Sequence, residues 1–111
     1  MIEISLCMIV KNEEKILARC LDSVADLVDE IVIVDTGSTD ATKKIAANYT
    51  DKIYDFTWVD DFSAARNFAF SKAEKDYIYT ADADEVMDEE NRKRFCELKE
   101  VLLPEIEPRP K

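Results

Sequence analysis

The sequence predicts a three-layer α/β/α fold around a mainly parallel, four-stranded sheet. Two observations carry that expectation. Short apolar, β-prone runs alternate with stretches whose apolar residues recur every three or four positions, the pattern of βαβ units. The run at residues 31–34 is apolar and β-branched throughout rather than alternating, as a central strand covered on both faces is. A single glycine, Gly37, among 111 residues also argues against a turn-rich all-β chain.

Residues 4–10 form the first predicted strand. Lys11-Asn12-Glu13-Glu14 breaks the apolar run and opens a helix, with Asn12 as its expected N-cap. Ile16, Leu17, Cys20, Leu21, Val24, Leu27 and Val28 give that helix one apolar face. Asp29-Glu30 ends it, and residues 31–34 form the second, central strand. In the turn that follows, Gly37 supplies a backbone angle that other residues resist. Ser38 or Thr39 is expected to cap the next helix, which runs through Ala41, Ile45, Ala46 and Tyr49. Residues 52–56 form a third short strand, and residues 57–61 a loop with the only tryptophan, Trp58. A third helix starts at Asp61 or Ser63, with Ala65, Phe68, Ala69 and Ala73 as its inner stripe. Tyr77-Ile78-Tyr79-Thr80 is the fourth strand, and a charged helix follows from Asp88 to Leu103. Pro104, Pro108 and Pro110 mark residues 104–111 as a frayed tail.

Composition narrows the function. The chain carries 25 acidic and 15 basic residues, a formal net charge of −10. That argues against a nucleic-acid partner, which requires a basic surface. It leaves open a nucleotide whose phosphates are held through a metal ion. Cys7, Cys20 and Cys96 show no zinc spacing; Cys7 and Cys20 read as core thiols, which fits a reducing, cytoplasmic location. The absence of histidine removes His-based triads and His metal sites from this chain. The first apolar run is too short to span a bilayer, and Glu3 precedes it where a signal peptide carries basic residues.

Three strand ends carry polar groups: Lys11-Asn12-Glu13, Asp35-Thr36-Gly37-Ser38 and Asp82-Ala83-Asp84. In a parallel sheet all three meet at one edge, where α/β folds bind ligands. If residues 82–84 stay extended, Asp82 and Asp84 face the same way with Cα atoms about 6–7 Å apart. One carboxylate could then serve a hard cation, which commonly takes one or two protein carboxylates and fills its shell with water and phosphate oxygens. The same residues also read as helix starts, turn caps and an acidic strand-to-helix turn.

Ser5-Leu6-Cys7-Met8-Ile9-Val10-Lys11-Asn12-Glu13-Glu14, Glu30-Ile31-Val32-Ile33-Val34-Asp35-Thr36-Gly37-Ser38-Thr39-Asp40, Ala65-Arg66-Asn67 and Asp82-Ala83-Asp84-Glu85 occur in that order. As a set they resemble the signature of family 2 glycosyltransferases, over residues 4–85. The resemblance implies a GT-A fold, with residues 1–103 as its Rossmann-like nucleotide-sugar-binding half. It implies a nucleoside-diphosphate sugar donor, a UDP-sugar by default, and Mn²⁺ or Mg²⁺. By the same resemblance Ile9, Lys11, Asn12 and Glu13 lie along the nucleobase and ribose, and Asp35 near the base. Arg66 and Asn67 sit beside the donor. Asp82 meets the ribose or sugar, and Asp84 ligates the metal on the diphosphate. Two positions depart from the family pattern: Thr36 stands where many members have a second acid, and Lys11 where an aromatic often stacks on the base. No residue here can be assigned as the general base of sugar transfer, so the isolated chain is expected to be inactive.

Asp35-Thr36-Gly37-Ser38 also resembles the active-site run of aspartic proteases, but their fold is all-β and glycine-rich. An EF-hand at Asp82 fails, because Val86 and Met87 replace an oxygen ligand and the required glycine. The remaining alternative is a non-catalytic nucleotide- or metal-binding module, or a purely structural fragment. Finally, the strand at residues 77–81 would have a further neighbour in a full GT-A domain. Its edge is expected to be bare here and to invite self-association.

Overall fold

The computed structural model of the protein describes residues 3–98 and 107–108. Strands β1 (Ile4–Val10), β2 (Glu30–Asp35), β3 (Ile53–Asp55) and β4 (Tyr77–Thr80) lie parallel in the order β3-β2-β1-β4. The predicted sheet is present. A two-residue strand, β5 (Glu107–Pro108), pairs antiparallel with Tyr77 and Ile78. The β4 edge expected to be bare is therefore covered at those two positions. Residues 99–103 of the last predicted helix, and 104–106 and 109–111 of the predicted tail, lie outside the described residues.

The connecting helices are α1 (Leu17–Val24, continued by a 3₁₀ turn at Ala25–Leu27), α2 (Thr42–Ala46), α3 (Phe62–Lys72) and α4 (Glu89–Leu98). Side-chain parity on the central strands sorts the core into two layers. Ile4, Leu6, Met8 and Val10 of β1 pack with Ile31 and Ile33 of β2, with Leu17, Cys20, Leu21 and Val24 of α1, and with Ala46 and Phe95. Cys7, Val32, Val34 and Ile78 point to the other face, against Ala69 and Ala73 at the α3 side. Each fully buried leucine or isoleucine contributes roughly 1.5–3 kcal/mol. The alanine stripe Ala65, Ala69 and Ala73 is buried, so α3 can lie close on the sheet.

The chain builds β1, β2 and β3 in one direction and then returns through α3 to place β4 on the far side of β1. The β1–β4 junction is thus the topological switch point, where parallel α/β sheets open a crevice at the carboxyl ends of their strands.

Two helix starts differ from expectation. Asn12 does not cap α1; it stands at φ +53° in a turn, and α1 begins five residues later, behind Ile16, with no side-chain cap. The carbonyl of Glu13 accepts from Ile16 and Leu17 N–H and closes the intervening turn. Neither Ser38 nor Thr39 caps α2. The carboxylate of Asp40 accepts from Thr42 N–H (2.9 Å) and from the Thr42 hydroxyl. Of the two starts expected for α3, Asp61 or Ser63, the structure has Asp61 as the N-cap: its Oδ1 accepts from Ser63 N–H (2.9 Å) and Ala64 N–H (3.3 Å). Asp88 likewise accepts from Asn91 N–H (2.8 Å) at the head of α4.

Glu30, expected to help end the first helix, instead opens β2 and is buried. Its carboxylate accepts from the Ser5 hydroxyl (2.5 Å), from Glu74 N–H (2.8 Å) and from Lys52. Burial alone would raise the Glu30 carboxyl. The hydrogen bonds from Lys52, Ser5 and the Glu74 backbone outweigh it and hold the group below its ordinary value. This cluster ties β1 and β2 to the segments that lead into β3 and β4, at the edge opposite the polar loops.

Candidate functional site

Because β1, β2 and β4 are parallel neighbours, their polar carboxyl ends leave the same edge of the sheet. The loops after β1 and β2 are stitched together. Asn12 N–H donates to Ser38 Oγ (2.9 Å), and Asn12 Oδ1 accepts from Thr39 N–H (2.8 Å). Glu13 N–H donates to Thr42 Oγ1 (2.8 Å), and Ala41 N–H to Glu14 Oε2 (3.0 Å). Asn12 tolerates the left-handed backbone better than most side chains do, and its amide oxygen is consumed in bridging the two loops. Only its NH₂ group remains to donate to a ligand.

Asp35, at the end of β2, is 2% exposed. Its Oδ1 accepts from Gly37 N–H (2.9 Å) and Ser38 N–H (2.8 Å), which folds the chain back in a tight turn with Gly37 at φ +116°. Its Oδ2 is buried with no hydrogen-bond partner among the described residues. An acceptor left unsatisfied in the interior costs about 1–3 kcal/mol, so a donor arriving here would be strongly favoured. Thr36 is also buried, and its hydroxyl lies 3.3 Å from the Val10 carbonyl.

The β4 end differs from the extended geometry expected for Asp82-Ala83-Asp84. The strand stops at Thr80, and Glu85 N–H donates to the Asp82 carbonyl (3.0 Å) to form a turn. Asp82 N–H donates to Glu85 Oε1 (3.1 Å). Extended-strand spacing therefore does not apply to the two aspartates. Ala83 is buried and packs into the core, while Asp82 and Asp84 are exposed. Beneath the turn, the Cys20 thiol donates to the Asp82 carbonyl (3.6 Å). Burial, with the nearby carboxylates of Glu85, Asp84 and Asp82, pushes that thiol up to about 11.

A pocket of about 230 Å³ opens at the switch point between β1 and β4. Cys7, Ile9, Thr80, Ala81 and Asp82 form its strand side, and Phe62, Arg66, Ala69 and Phe70 of α3 its helix side. Arg66 is exposed, and its guanidinium lies 5.6 Å from the centre of the Phe70 ring. The structure thus brings Ile9, Arg66 and Asp82 into one pocket. It joins Asn12 to the loop that Asp35 shapes. Lys11, Glu13, Asn67, Asp35 and Asp84 do not line the pocket. Sequence reasoning missed Phe62, Phe70 and Cys7 as pocket residues, which only the packing of α3 against β1 brings together, and Ser38 as the inter-loop link, which the Asp35 turn sets beside Asn12.

Among the described residues, no group of three or more acidic or thiol side chains is gathered to enclose a metal ion. The exposed carboxylates of the acidic turn fit a shared site instead, in which a hard cation takes one or two protein oxygens and the rest from water and phosphate.

Sheet order, switch-point pocket and acidic turn define a GT-A-type α/β domain. The family model for glycosyl transferase family 2 matches residues 5–99, and the chain belongs to that family. It is 52% identical over 85 residues to a TPR repeat-containing protein of Synechococcus elongatus, covering 77% of this chain and 21% of that one. It is 38% identical over 97 residues to the SPbeta prophage-derived glycosyltransferase SunS of Bacillus subtilis, covering 86% and 23%. The crystal structure of S. aureus TarS 1–349 in complex with UDP superposes with a TM-score of 0.72 at 26% identity, over 88% of this chain and 32% of that TarS 1–349 chain. Mycobacterium tuberculosis glucosyl-3-phosphoglycerate synthase, in complex with Mn²⁺ and UDP-glucose, shares the fold at a TM-score of 0.66 and 23% identity, over 77% and 34%. The chain thus spans only about a fifth of the length of the first two relatives (21% and 23%).

Proposed function

We propose that this chain is the donor-binding half of a family 2 glycosyltransferase, taking a nucleoside-diphosphate sugar, a UDP-sugar by default, with Mn²⁺ or Mg²⁺. The observation that carries the reading is the switch-point pocket, in which Ile9, Arg66 and Asp82 meet between β1, β4 and α3. Lys11, Asn12, Glu13 and the buried Asp35 serve the base and ribose end, where Asp35 Oδ2 awaits a donor. Asn67 stands one residue after Arg66 on the same helix, beside the donor. Asp82 meets the ribose or sugar, and Asp84 holds the cation on the diphosphate. The cation stabilises the negative charge that develops on the diphosphate as its bond to the sugar breaks.

This half supplies donor binding and leaving-group stabilisation. A general base within reach of an acceptor hydroxyl has no assigned residue among residues 1–111, so the isolated chain is expected to bind donor without transferring sugar. The three cysteines are free thiols, in keeping with a reducing cytoplasm. Among the described residues no helix is long and apolar enough to cross a membrane.

Calorimetric titration with UDP in the presence of Mn²⁺ tests the reading. Saturable heat is expected from the wild-type chain and not from Asp84→Ala. A chain without saturable heat is the structural fragment. A longer parent protein that binds donor but neither hydrolyses nor transfers it is the non-catalytic module.

A further inference from the structure

Building on the donor-site reading above, we propose that Ser23 is a positioning residue that sets the acidic turn from behind. Its hydroxyl accepts from Met87 N–H (3.0 Å) and donates to the Cys20 carbonyl (2.7 Å). At the front of the same segment, the Cys20 thiol donates to the Asp82 carbonyl (3.6 Å). Residues 82–87 are therefore pinned at both ends to one helix, α1, by side chains three positions apart that share a face.

Arg92 of α4 completes the set. Its guanidinium donates to the Ser23 carbonyl (2.8 Å) and pairs with both oxygens of Asp26 (2.8 and 2.5 Å). Between the two pins, Glu85 spends one carboxylate oxygen on Asp82 N–H. Asp82 and Asp84 are then the exposed carboxylates of the turn with no side-chain hydrogen bond among the described residues. Behind the turn lies a pocket of about 150 Å³ bordered by Cys20, Ser23, Glu85, Met87 and Phe95. Ala83 anchors the middle of the turn in the core. On the side that borders the pocket, the Ser23 hydroxyl is the bond that fixes Met87, so its loss loosens the turn's exit and the carboxylates before it.

The test measures Mn²⁺ binding to the 111-residue chain in the presence of UDP, by loss of the free Mn²⁺ paramagnetic resonance signal. Amide hydrogen exchange of residues 82–87, without ligand, is followed in parallel. Ser23→Ala is expected to weaken Mn²⁺ binding roughly tenfold, the scale of losing a partner that orients a metal ligand. It should also speed exchange in the turn while the α3 amides stay unchanged. Ser23→Thr, which keeps the hydroxyl, restores both readouts; Ser23→Val, of the same shape without it, restores neither. That pair carries the comparison if the alanine variant does not fold. Wild-type Mn²⁺ binding in Ser23→Val, with binding lost in Asp84→Ala, overturns the role of Ser23 and leaves the donor site standing. No Mn²⁺ binding to the wild type, or undiminished binding in Asp84→Ala, overturns the donor site. Exchange then decides on Ser23 alone: faster exchange in Ser23→Val upholds the tether, and unchanged exchange overturns it.

Discussion

Asn12 combines a backbone angle and a side-chain bond that few residues could supply together. At φ +53° most side chains meet strain of roughly 1–2 kcal/mol, which asparagine partly escapes. Its amide oxygen meanwhile holds Thr39 N–H across the site. Asn12→Ala is expected to lose both and to destabilise the fold by about 2 kcal/mol. Asn12→Gly, free to take the angle, should cost less. Urea unfolding of the two variants checks this; equal losses would mean that the angle carries no strain. Glu30 gives the pH dependence. Its folded carboxyl lies below the ordinary value of 4.5, so the unfolded chain takes up the proton first as pH falls. The stability it contributes is present above pH 4.5 and is lost as pH falls through the folded value. Glu30→Gln should flatten that part of the acid-unfolding curve. Glu30→Ala, which strands the Ser5 hydroxyl and Glu74 N–H near a buried edge, should cost about 3 kcal/mol at neutral pH.

Among the elements, α3 shows how a local signal reaches the site. Asp61 is its N-cap, and the helix carries Phe62, Arg66 and Phe70 into the pocket. Removing a cap of this kind costs about 1 kcal/mol. Asp61→Ala should therefore lower the melting temperature by about 4–8 °C and weaken UDP binding, because Arg66 sits in the second turn. A full loss of stability with UDP affinity intact would separate the cap from the pocket. The strands and α3 were legible because their signals are local: unbroken β-branched runs, Asp61 before a helical pattern, alanines every fourth residue. The start of α1 was not. Asn12 resembles an N-cap only while its neighbours are those in sequence, and the atom it actually binds belongs to Thr39, 27 residues on. Cap chemistry was likewise misplaced at α2: Ser38 is drawn off by Asn12 N–H, the N-cap position is Ala41, and Asp40, one residue earlier, bonds Thr42 N–H. The acidic turn failed for a similar reason. Alternation assumes that the strand continues, whereas Ala83 dives into the core and Glu85 closes the chain on Asp82.

At the scale of the whole molecule, the parallel sheet and the shared edge of the polar loops followed from the alternation of strands and helices. The strand order did not, because a choice between the two sides of β1 leaves no mark in local sequence. That order makes β1–β4 the switch point and brings Ile9 and Asp82, more than seventy residues apart, into one pocket. The same order makes β4 the last parallel strand, with β5 paired only to Tyr77 and Ile78. We propose that this edge is where copies of the chain associate, and that β5 limits it. Unpaired strand edges recruit other strands, and a two-residue strand containing a proline offers little to a further one. Deleting residues 104–111 opens all four positions of β4. The truncated chain should then gain apparent mass with concentration in light scattering, far more steeply than the full chain. Identical curves for the two would mean that β5 shields nothing and that association, if seen, uses another surface.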